Sequence, residues 1–451
     1  MAAINHVMLS DAVSNNRFSA EFFDPKYVFK PNTETAWVPI GRILKKCEYG
    51  ISISMNSEGK GFPIFRMNEL ENGFALRPEK YAEISDKEFE QYRLRPNDIL
   101  FNRTNSFDFV GRTGLVKDQT DCTFASYLIR LIPDTDVILP EYLTVYLNTR
   151  FGIGQVKRRA MRSINQANVS GSEIRRVLIP VFDKSIQQIV AGLVNVSFEA
   201  SRTSDTAYTQ AQGLLESELG LDKLRFDKPV GYTAWFSALE SSRRSDAQHY
   251  QLRFTQLLNH LSKFSTRKIR DIRTHNRRGI QPVYVKNGEY AVVNSQHLGP
   301  KHINYDGLQK TSSLAFSASA EAHIKPDDLL IYTTGAYIGR TNAYLSDTPA
   351  FASNHVNILR LNPDIDHAYM ALVFQSIIGQ FQTQKHSRGS AQAELYPADI
   401  DKFIVPLLPS NRQKVIGDLV RQSLEKQRES TRLLDQAKTR VEQLIEEAIR
   451  K

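Results

Sequence analysis

The stretch Leu94-Arg95-Pro96-Asn97-Asp98-Ile99-Leu100 decides the fold, because the chain repeats it as Ile324-Lys325-Pro326-Asp327-Asp328-Leu329-Leu330. Other landmarks then follow in the same order in each half of the chain. Gly111-Arg112 of the first copy corresponds to Gly339-Arg340 of the second, and Phe124-Ala125-Ser126 corresponds to Phe351-Ala352-Ser353. Further along, Ile179-Pro180 corresponds to Val405-Pro406, and Gln187 corresponds to Gln413. The second copy lies 226 to 230 residues after the first. That length predicts a duplicated domain with its helix, since solenoid repeats have periods of roughly 20 to 50 residues.

Each copy has the sequence signals of a mixed α+β domain. The Pro-Asn-Asp or Pro-Asp-Asp triplet predicts a turn, because proline fixes φ and the Asn or Asp side chain caps the local backbone. The turn should lead into a buried strand, at residues 99–101 in the first copy and 329–331 in the second. A helix is predicted further on, at residues 141–147 and 367–374. We therefore expect two tandem α+β domains.

A long helix is predicted after each domain. The first runs from Ser185 to about Leu219, and the second follows Pro409, the last proline of the chain. The second helix carries a heptad seam with spacings of three and four, formed by Leu434, Ala437, Val441, Leu444 and Ala448.

These two helices are expected to pack against each other. A helix of about 40 residues is about 60 Å long, so it cannot bury its apolar stripe in one small domain. An antiparallel pair with approximate two-fold symmetry would bury both stripes. The predicted divisions are residues 1–182 and 228–407 for the two domains, and residues 183–227 and 408–451 for the helices.

Bulk composition is typical of a globular chain with more than one domain. Its 451 residues exceed what one core usually organises. No apolar run approaches the roughly 18 residues of a membrane-spanning helix. Residues 1–6 lack the charged and apolar regions of a secretory leader, so we expect a cytoplasmic protein without a membrane partner. The two cysteines, Cys47 and Cys122, cannot form a disulfide framework, and together with the histidines they offer no spaced zinc-ligand set.

An uneven positive charge favours an anionic partner. The formal net charge is +9, and lysine or arginine side chains that face phosphates release counterions and so drive binding. Residues 267–278 carry six basic residues against one acid, and residues 157–162 form a second basic cluster. The first cluster is also typical of a solvated strand and turn, but we expect four of its side chains to face phosphates of double-stranded DNA: Arg267, Arg270, Arg277 and Arg278.

Four polar loops at matched positions are candidates for contact with bases. A guanidinium suits guanine, and a side-chain amide suits adenine. Taken singly, each loop is also typical of a solvated turn, but four equivalent loops on duplicated domains favour DNA. The candidates are Arg103, Thr104, Asn105, Arg162, Asn165 and Gln166 in the first half, and Thr333, Thr334, Arg388 and Gln392 in the second.

Motifs that resemble catalytic signatures do not predict an enzyme. Phe151-Gly152-Ile153-Gly154 resembles a methyltransferase glycine loop, but it follows a helical pattern where such a loop needs a strand, and Gly152 is expected to end that helix. Asp24-Pro25-Lys26-Tyr27 resembles a methyltransferase tetrapeptide with one residue wrong. The acids near residues 134–141 lie beside prolines, as in solvated loops, and Gly-x-Ser-x-Gly does not occur.

Taken together, these features resemble the specificity (S) subunit of Type I restriction-modification systems, over nearly the whole chain. The resemblance is carried by the order of the repeated motifs and by the long helices. The motifs are Arg17 to Phe23, the run Pro96 to Thr104, Gly111-Arg112, the run Ser163 to Ser170, Ile179-Pro180 and Gln187-Gln188. The second half departs from the pattern at Thr333-Thr334-Gly335 and Ala391-Gln392, as unlike half-sites would require.

The resemblance implies a non-catalytic chain with defined partners. Each globular part would be a target recognition domain that reads half of a split DNA site. The helices would act as a spacer and dock two methyltransferase subunits, which carry the S-adenosylmethionine chemistry, and restriction subunits would join them. Within the second helix, the seam residues Leu434, Ala437, Val441 and Leu444 are the candidates for that subunit interface. Two other functions stay open: a recognition module of a self-sufficient methyltransferase or nuclease, and a helical scaffold that does not act on DNA.

Overall fold

The computed structural model describes residues 6–15, 17–28, 35–118, 121–227, 229–389 and 392–450. The chain forms two compact units. The first comprises Met1–Ser201 with Arg428–Lys451, and the second comprises Arg202–Gln427. The predicted divisions set each long helix apart as its own segment, whereas both helices are shared between the units.

The first unit and the helix that leaves it contain fourteen strands and six α-helices within the described residues. The strands are β1 (Trp37–Pro39), β2 (Leu44–Tyr49), β3 (Phe62–Phe65), β4 (Leu70–Glu71), β5 (Phe74–Ala75), β6 (Lys80–Ala82), β7 (Ile99–Asn102), β8 (Thr104–Asn105), β9 (Thr113–Leu115), β10 (Thr123–Phe124), β11 (Leu128–Pro133), β12 (Met161–Arg162), β13 (Ala167–Asn168) and β14 (Leu178–Pro180). The helices are α1 (Leu9–Asn15), α2 (Asp86–Tyr92), α3 (Pro140–Leu147), α4 (Arg150–Arg159), α5 (Gly171–Arg175) and α6 (Lys184–Leu219).

The second unit and the helix that follows it contain ten strands and eight α-helices within the described residues. Its strands are β15 (Thr266–Lys268), β16 (Arg273–Arg278), β17 (Tyr290–Val293), β18 (Gln309–Thr311), β19 (His323–Ile324), β20 (Leu329–Tyr332), β21 (Thr341–Ala343), β22 (Ala350–Ala352), β23 (Val356–Leu361) and β24 (Ile404–Pro406). Its helices are α7 (Phe236–Ser242), α8 (Leu252–Leu261), α9 (Ile269–Ile272), α10 (Ser313–Ser317), α11 (His367–Gln375), α12 (Ile377–His386), α13 (Pro397–Ile400) and α14 (Ser410–Arg450).

Both units are built around the same antiparallel sheet. In the first unit the order is β2-β11-β7-β9, extended by β5 and β4, and in the second it is β16-β23-β20-β21. The turn before β7 or β20 has the predicted form, with Asn97 and Asp327 at φ values of 74° and 68°. The next aspartate then accepts a hydrogen bond from the residue three positions earlier, Asp98 from Arg95 N and Asp328 from Lys325 N. The predicted mixed α+β fold and its buried strands are confirmed.

Each domain is fastened to its long helix by a glutamine near the start of that helix. Gln187 accepts a hydrogen bond from Leu139 N at 2.8 Å and donates to Phe182 O. Gln413 accepts one from Asp366 N at 3.1 Å and donates to Leu408 O. Both glutamines are buried, which explains why the sequence keeps them at equivalent positions.

The two long helices run antiparallel. Ser197 and Ser430 lie 2.9 Å apart in the first unit, and Ser204 and Ser423 lie 3.0 Å apart in the second. All four serines are buried. Within each pair, the two hydroxyl groups hydrogen-bond to each other where the helices lie close together. No described helix is long and apolar enough to cross a membrane.

The heptad seam of α14 lies inside the first unit. Leu434, Ala437, Val441 and Ile445 are buried in its core, whereas Leu444 is only half-buried. The prediction of Leu444 as a seam residue was wrong, because Ile445, the fourth residue after Val441, faces the core in its place. Leu434, Ala437 and Val441 contact the chain's own core. Their side chains are therefore not exposed, contrary to the prediction that they contact a partner subunit.

Candidate nucleic-acid interface

A three-stranded sheet brings together the polar candidates of the first half. Strand β13 pairs with both β12 and β8, so Ala167 lies opposite Arg162 on one side and Asn105 on the other. The β12–β13 turn is closed by a hydrogen bond from Ser163 N to Gln166 O at 2.7 Å. Asn165 and Gln166 therefore lie on an exposed hairpin beside Asn105.

The sequence predicted that the Arg103 side chain is free to contact a base. In the structure its guanidinium is bound by neighbouring residues. Its guanidinium donates to Ser126 O at 3.2 Å and to Asn168 Oδ1 at 3.0 Å, and it lies 4.9 Å from the Tyr49 ring centroid. Asn168 in turn donates to Thr104 Oγ1 at 3.2 Å. This network makes Arg103 a support of the hairpin, with two of its donor groups already used.

Arg162 and Ile164 are two exposed side chains of the hairpin. The Arg162 guanidinium stacks 3.5 Å from the Phe107 ring centroid, which orients it while leaving the side chain exposed. Ile164 is 100% exposed at the tip. Sequence reasoning did not select Ile164, although an apolar residue inside a polar loop was a visible signal for contact with an apolar group such as the thymine methyl.

The second unit repeats this three-segment arrangement with single bridge pairs in place of strands. Glu394 pairs with both Arg388 and Thr334. Arg388 donates to Asp399 at 2.9 Å while its side chain stays 54% exposed, and Gln392 is exposed. Ser390 and Ala391, within the predicted loop, lie outside the described residues.

Thr333 and Thr334 are buried, so the prediction that they contact DNA was wrong. The Thr333 hydroxyl donates to His355 O at 3.0 Å, and Leu395 N donates to Thr333 O. The Thr334 hydroxyl is also buried, with no hydrogen-bond partner among the described residues. Both threonines occupy the continuation of β20 into the core, which polar character alone could not reveal.

The basic run at residues 267–278 does not form one continuous patch. Arg267 lies on β15, which pairs with β24, while Arg277 and Arg278 lie on β16 of the main sheet. Arg270 is an exposed side chain that pairs with Asp271 at 3.2 Å. Arg278 donates to Leu395 O at 2.9 Å, which places the end of β16 next to the loop of Arg388. Arg277 is exposed beside it.

Part of the second half of the chain resembles a known sequence family. The family model described as "Type I restriction modification DNA specificity domain" matches residues 262–437. Residues 262–437 are thus similar to this family. The match covers the main sheet of the second unit, the bridge-paired loops around Arg388 and the first part of α14.

Two curated specificity subunits also resemble the chain. The Type I restriction enzyme EcoKI specificity subunit of Escherichia coli K12 is 29% identical over 144 residues, which is 31% of each chain. The putative type I restriction enzyme MjaX specificity subunit of Methanocaldococcus jannaschii is 25% identical over 192 residues, 42% of this chain and 44% of that protein. The aligned segments thus span less than half of the length of these relatives.

Solved structures of specificity subunits align over most of the chain. The Type I restriction-modification S subunit from M. genitalium covers 93% of this chain and 98% of its own, with 14% identity and a TM-score of 0.46. The HsdS subunit from Thermoanaerobacter tengcongensis covers 94% and 98%, with 14% identity and a TM-score of 0.30.

Outside the matched residues 262–437, the methyltransferase-like motifs are ordinary structural elements. Phe151 to Gly154 lies within α4, and a Cβ added to Gly152 would lie 2.2 Å from Tyr146 O. Gly152 thus permits close packing of α4 on α3, and the prediction that it ends the preceding helix was wrong. Asp24 caps a short 3-10 turn through Lys26 N. Within the described residues, no cluster of three or more His, Cys, Asp or Glu side chains could hold a metal ion.

Proposed function

We propose that this chain is the non-catalytic DNA-recognition subunit of a Type I restriction-modification complex. The single observation that carries the proposal is the loop arrangement that both units share, in a chain whose residues 262–437 match the specificity-domain family model. Each unit would read one half of a split site in double-stranded DNA. Such a subunit would act in the cytoplasm, where it meets cellular DNA.

The proposal assigns the chemistry to partner subunits. Two methyltransferase subunits would bind S-adenosylmethionine and transfer the methyl group, and restriction subunits would join the complex. Because the α14 seam is buried in the first unit, those subunits would contact the outer faces of the helices. Exposed residues such as Ile189, Val196 and Val415 are available on α6 and α14 for such contacts.

A methylation assay tests the proposal directly. The purified chain is expected to transfer no methyl group from labelled S-adenosylmethionine to DNA by itself. Mixed with its cognate methyltransferase subunit, it should direct methylation to one split sequence, while the methyltransferase subunit alone should not. Methyl transfer by this chain without a partner, or unchanged site choice when the chain is omitted, would contradict the proposed role.

The exposed glutamines provide a matched test of half-site reading. Gln166 and Gln392 are equivalent, and the side chains of both are exposed on the recognition loops. Gln166→Ala is expected to cost about 1 to 3 kcal/mol at the cognate site and to relax one position of the first half-site. Gln392→Ala should relax one position of the second half-site only. Sequencing of methylated sites from each variant complex measures both effects.

Arg277→Ala is the contrasting control for these two variants. A phosphate contact positions the protein without reading sequence, so this variant should weaken cognate and random duplexes alike and lower the salt slope by about one unit. Fluorescence anisotropy at several salt concentrations would show it. If Arg277→Ala relaxed one base position while Gln392→Ala weakened all duplexes equally, the assigned roles would be reversed.

A further inference from the structure

The last turn of α12 leads directly into the loop of Arg388, and a distant segment of the chain caps it. We call residues 244–250 the capping segment. The Thr383 carbonyl accepts a hydrogen bond from the Ser387 amide. Each of the next four carbonyls accepts a hydrogen bond from the capping segment. The bonds are Gln248 Nε2 to Gln384 O at 3.2 Å, His249 Nδ1 to Lys385 O at 2.7 Å, and Arg244 Nη1 and Nη2 to His386 O and Ser387 O at 3.0 Å each.

This arrangement satisfies the carbonyls that every helix end leaves without partners. A carbonyl can only accept a hydrogen bond, so the Nδ1 atom of His249 carries a proton. The Arg244 guanidinium also places a positive charge at the negative end of the helix dipole. The capping segment therefore controls where α12 ends and in which direction the backbone continues to Arg388.

The capping segment is itself held in place. Arg244 forms a two-pronged ion pair with Asp246, with both nitrogen–oxygen distances 2.7 Å. Tyr250 donates to Arg244 O at 2.6 Å, and Lys385 Nζ donates back to His249 O at 2.9 Å. The Arg244 side chain is 13% exposed. Burial lowers the pKa of His249 and so favours the neutral ring beside Lys385.

The first unit has a segment at the same place that uses different chemistry. Phe22, the equivalent of His249, is buried against the last turn of α4, which leads into β12 of the recognition hairpin. The guanidinium carbons of Arg158 and Arg159 lie 4.1 and 5.5 Å from its ring centroid. Arg17, the equivalent of Arg244, pairs with Glu173 at 3.2 Å. Both units thus support the helix before the recognition loop with residues that precede the domain core.

We infer that the capping segment is a specificity-determining part of the second recognition site, with Arg244, Gln248 and His249 as positioning residues for Arg388 and Gln392. The inference rests on the proposed function. The three residues act through the helix end and need not touch DNA. The second half-site would therefore be read correctly only when the segment is docked.

Arg244→Ala in the full chain, assembled with its methyltransferase subunits, tests the inference. Duplex libraries randomised in one half-site at a time are methylated, and the methylated sequences are read. We expect discrimination at the second half-site to fall on the order of tenfold, and discrimination at the first half-site to stay unchanged. Arg243→Ala is the matched control, because Arg243 is a neighbouring exposed residue and its loss removes the same charge.

A second variant covers the case in which Arg244→Ala does not fold. Gln248→Met keeps the length of an exposed side chain and removes a single donor, so it should relax the second half-site by a smaller factor. Unchanged discrimination in both variants, or equal relaxation of both half-sites, would overturn the inference. Failure of the wild-type complex to methylate any defined sequence would instead overturn the proposed function.

Discussion

A chain that ends at Gln427 is expected to lose the fold of residues 1–201 while residues 202–427 stay folded. The deleted residues 428–451 belong to the first unit, where Leu434, Val441 and Ile445 are buried in the core. Each of these side chains contributes roughly 1.5 to 3 kcal/mol by burial, and the stability of a whole domain is about 5 to 15 kcal/mol. Their loss removes much or all of that stability.

Hydrogen exchange along α6 measures this result within a single helix. Residues 184–201 should lose their protection in the shortened chain, whereas residues 202–219 should keep theirs. A chain that ends at Ala448 is the control, because it retains the buried seam and should exchange like the full chain. Equal loss of protection in both halves of α6 would show that the units do not fold separately.

Arg360→Met is expected to destabilise the second unit by about 3 to 5 kcal/mol, because it leaves a buried carboxylate without its counter-charge. Asp328 is fully buried, and Arg360 donates to its two oxygens at 2.7 and 2.8 Å. Asp328 ends the turn that leads into β20, so the variant weakens the centre of the sheet that carries the recognition loops.

Chemical denaturation of Arg360→Met, Asp328→Asn and the double variant measures the coupling of this pair. The double variant should be more stable than Arg360→Met, since it has no buried charge. If Asp328→Asn does not relieve the stability deficit of Arg360→Met, lost packing and not charge causes that deficit.

Local patterns predicted much of the fold. The turn at Pro96 or Pro326, the buried strand after it and the span of α6 each depend on residues close together in sequence, so a single sequence contains the signal. Burial of Ile445 in place of Leu444 was missed because a heptad pattern fixes the stripe only to within a residue, and packing against the first unit selects between neighbours.

The candidate site was harder to predict because it is built from distant segments. Arg103 and Asn168 meet only when β8 pairs with β13, and Thr333 is covered only because Leu395 pairs beside it. Counting charges also could not show that Arg267 and Arg277 lie on different sheets. The side chains that remain exposed, such as Gln166 and Gln392, were found correctly as loop residues, and their contact with bases stays a prediction.

The first unit combines two segments that are far apart in the sequence, so the two segments are synthesised at different times. Residues 428–451 leave the ribosome more than two hundred residues after residues 1–201, whose core they complete. At about 5 to 20 residues per second, that core waits on the order of ten seconds or more with the apolar stripe around Val190 and Val194 uncovered. Residues 202–427 are contiguous and can pack as they emerge. The nascent chain can therefore complete its second unit before its first, whose apolar surface stays exposed for longer.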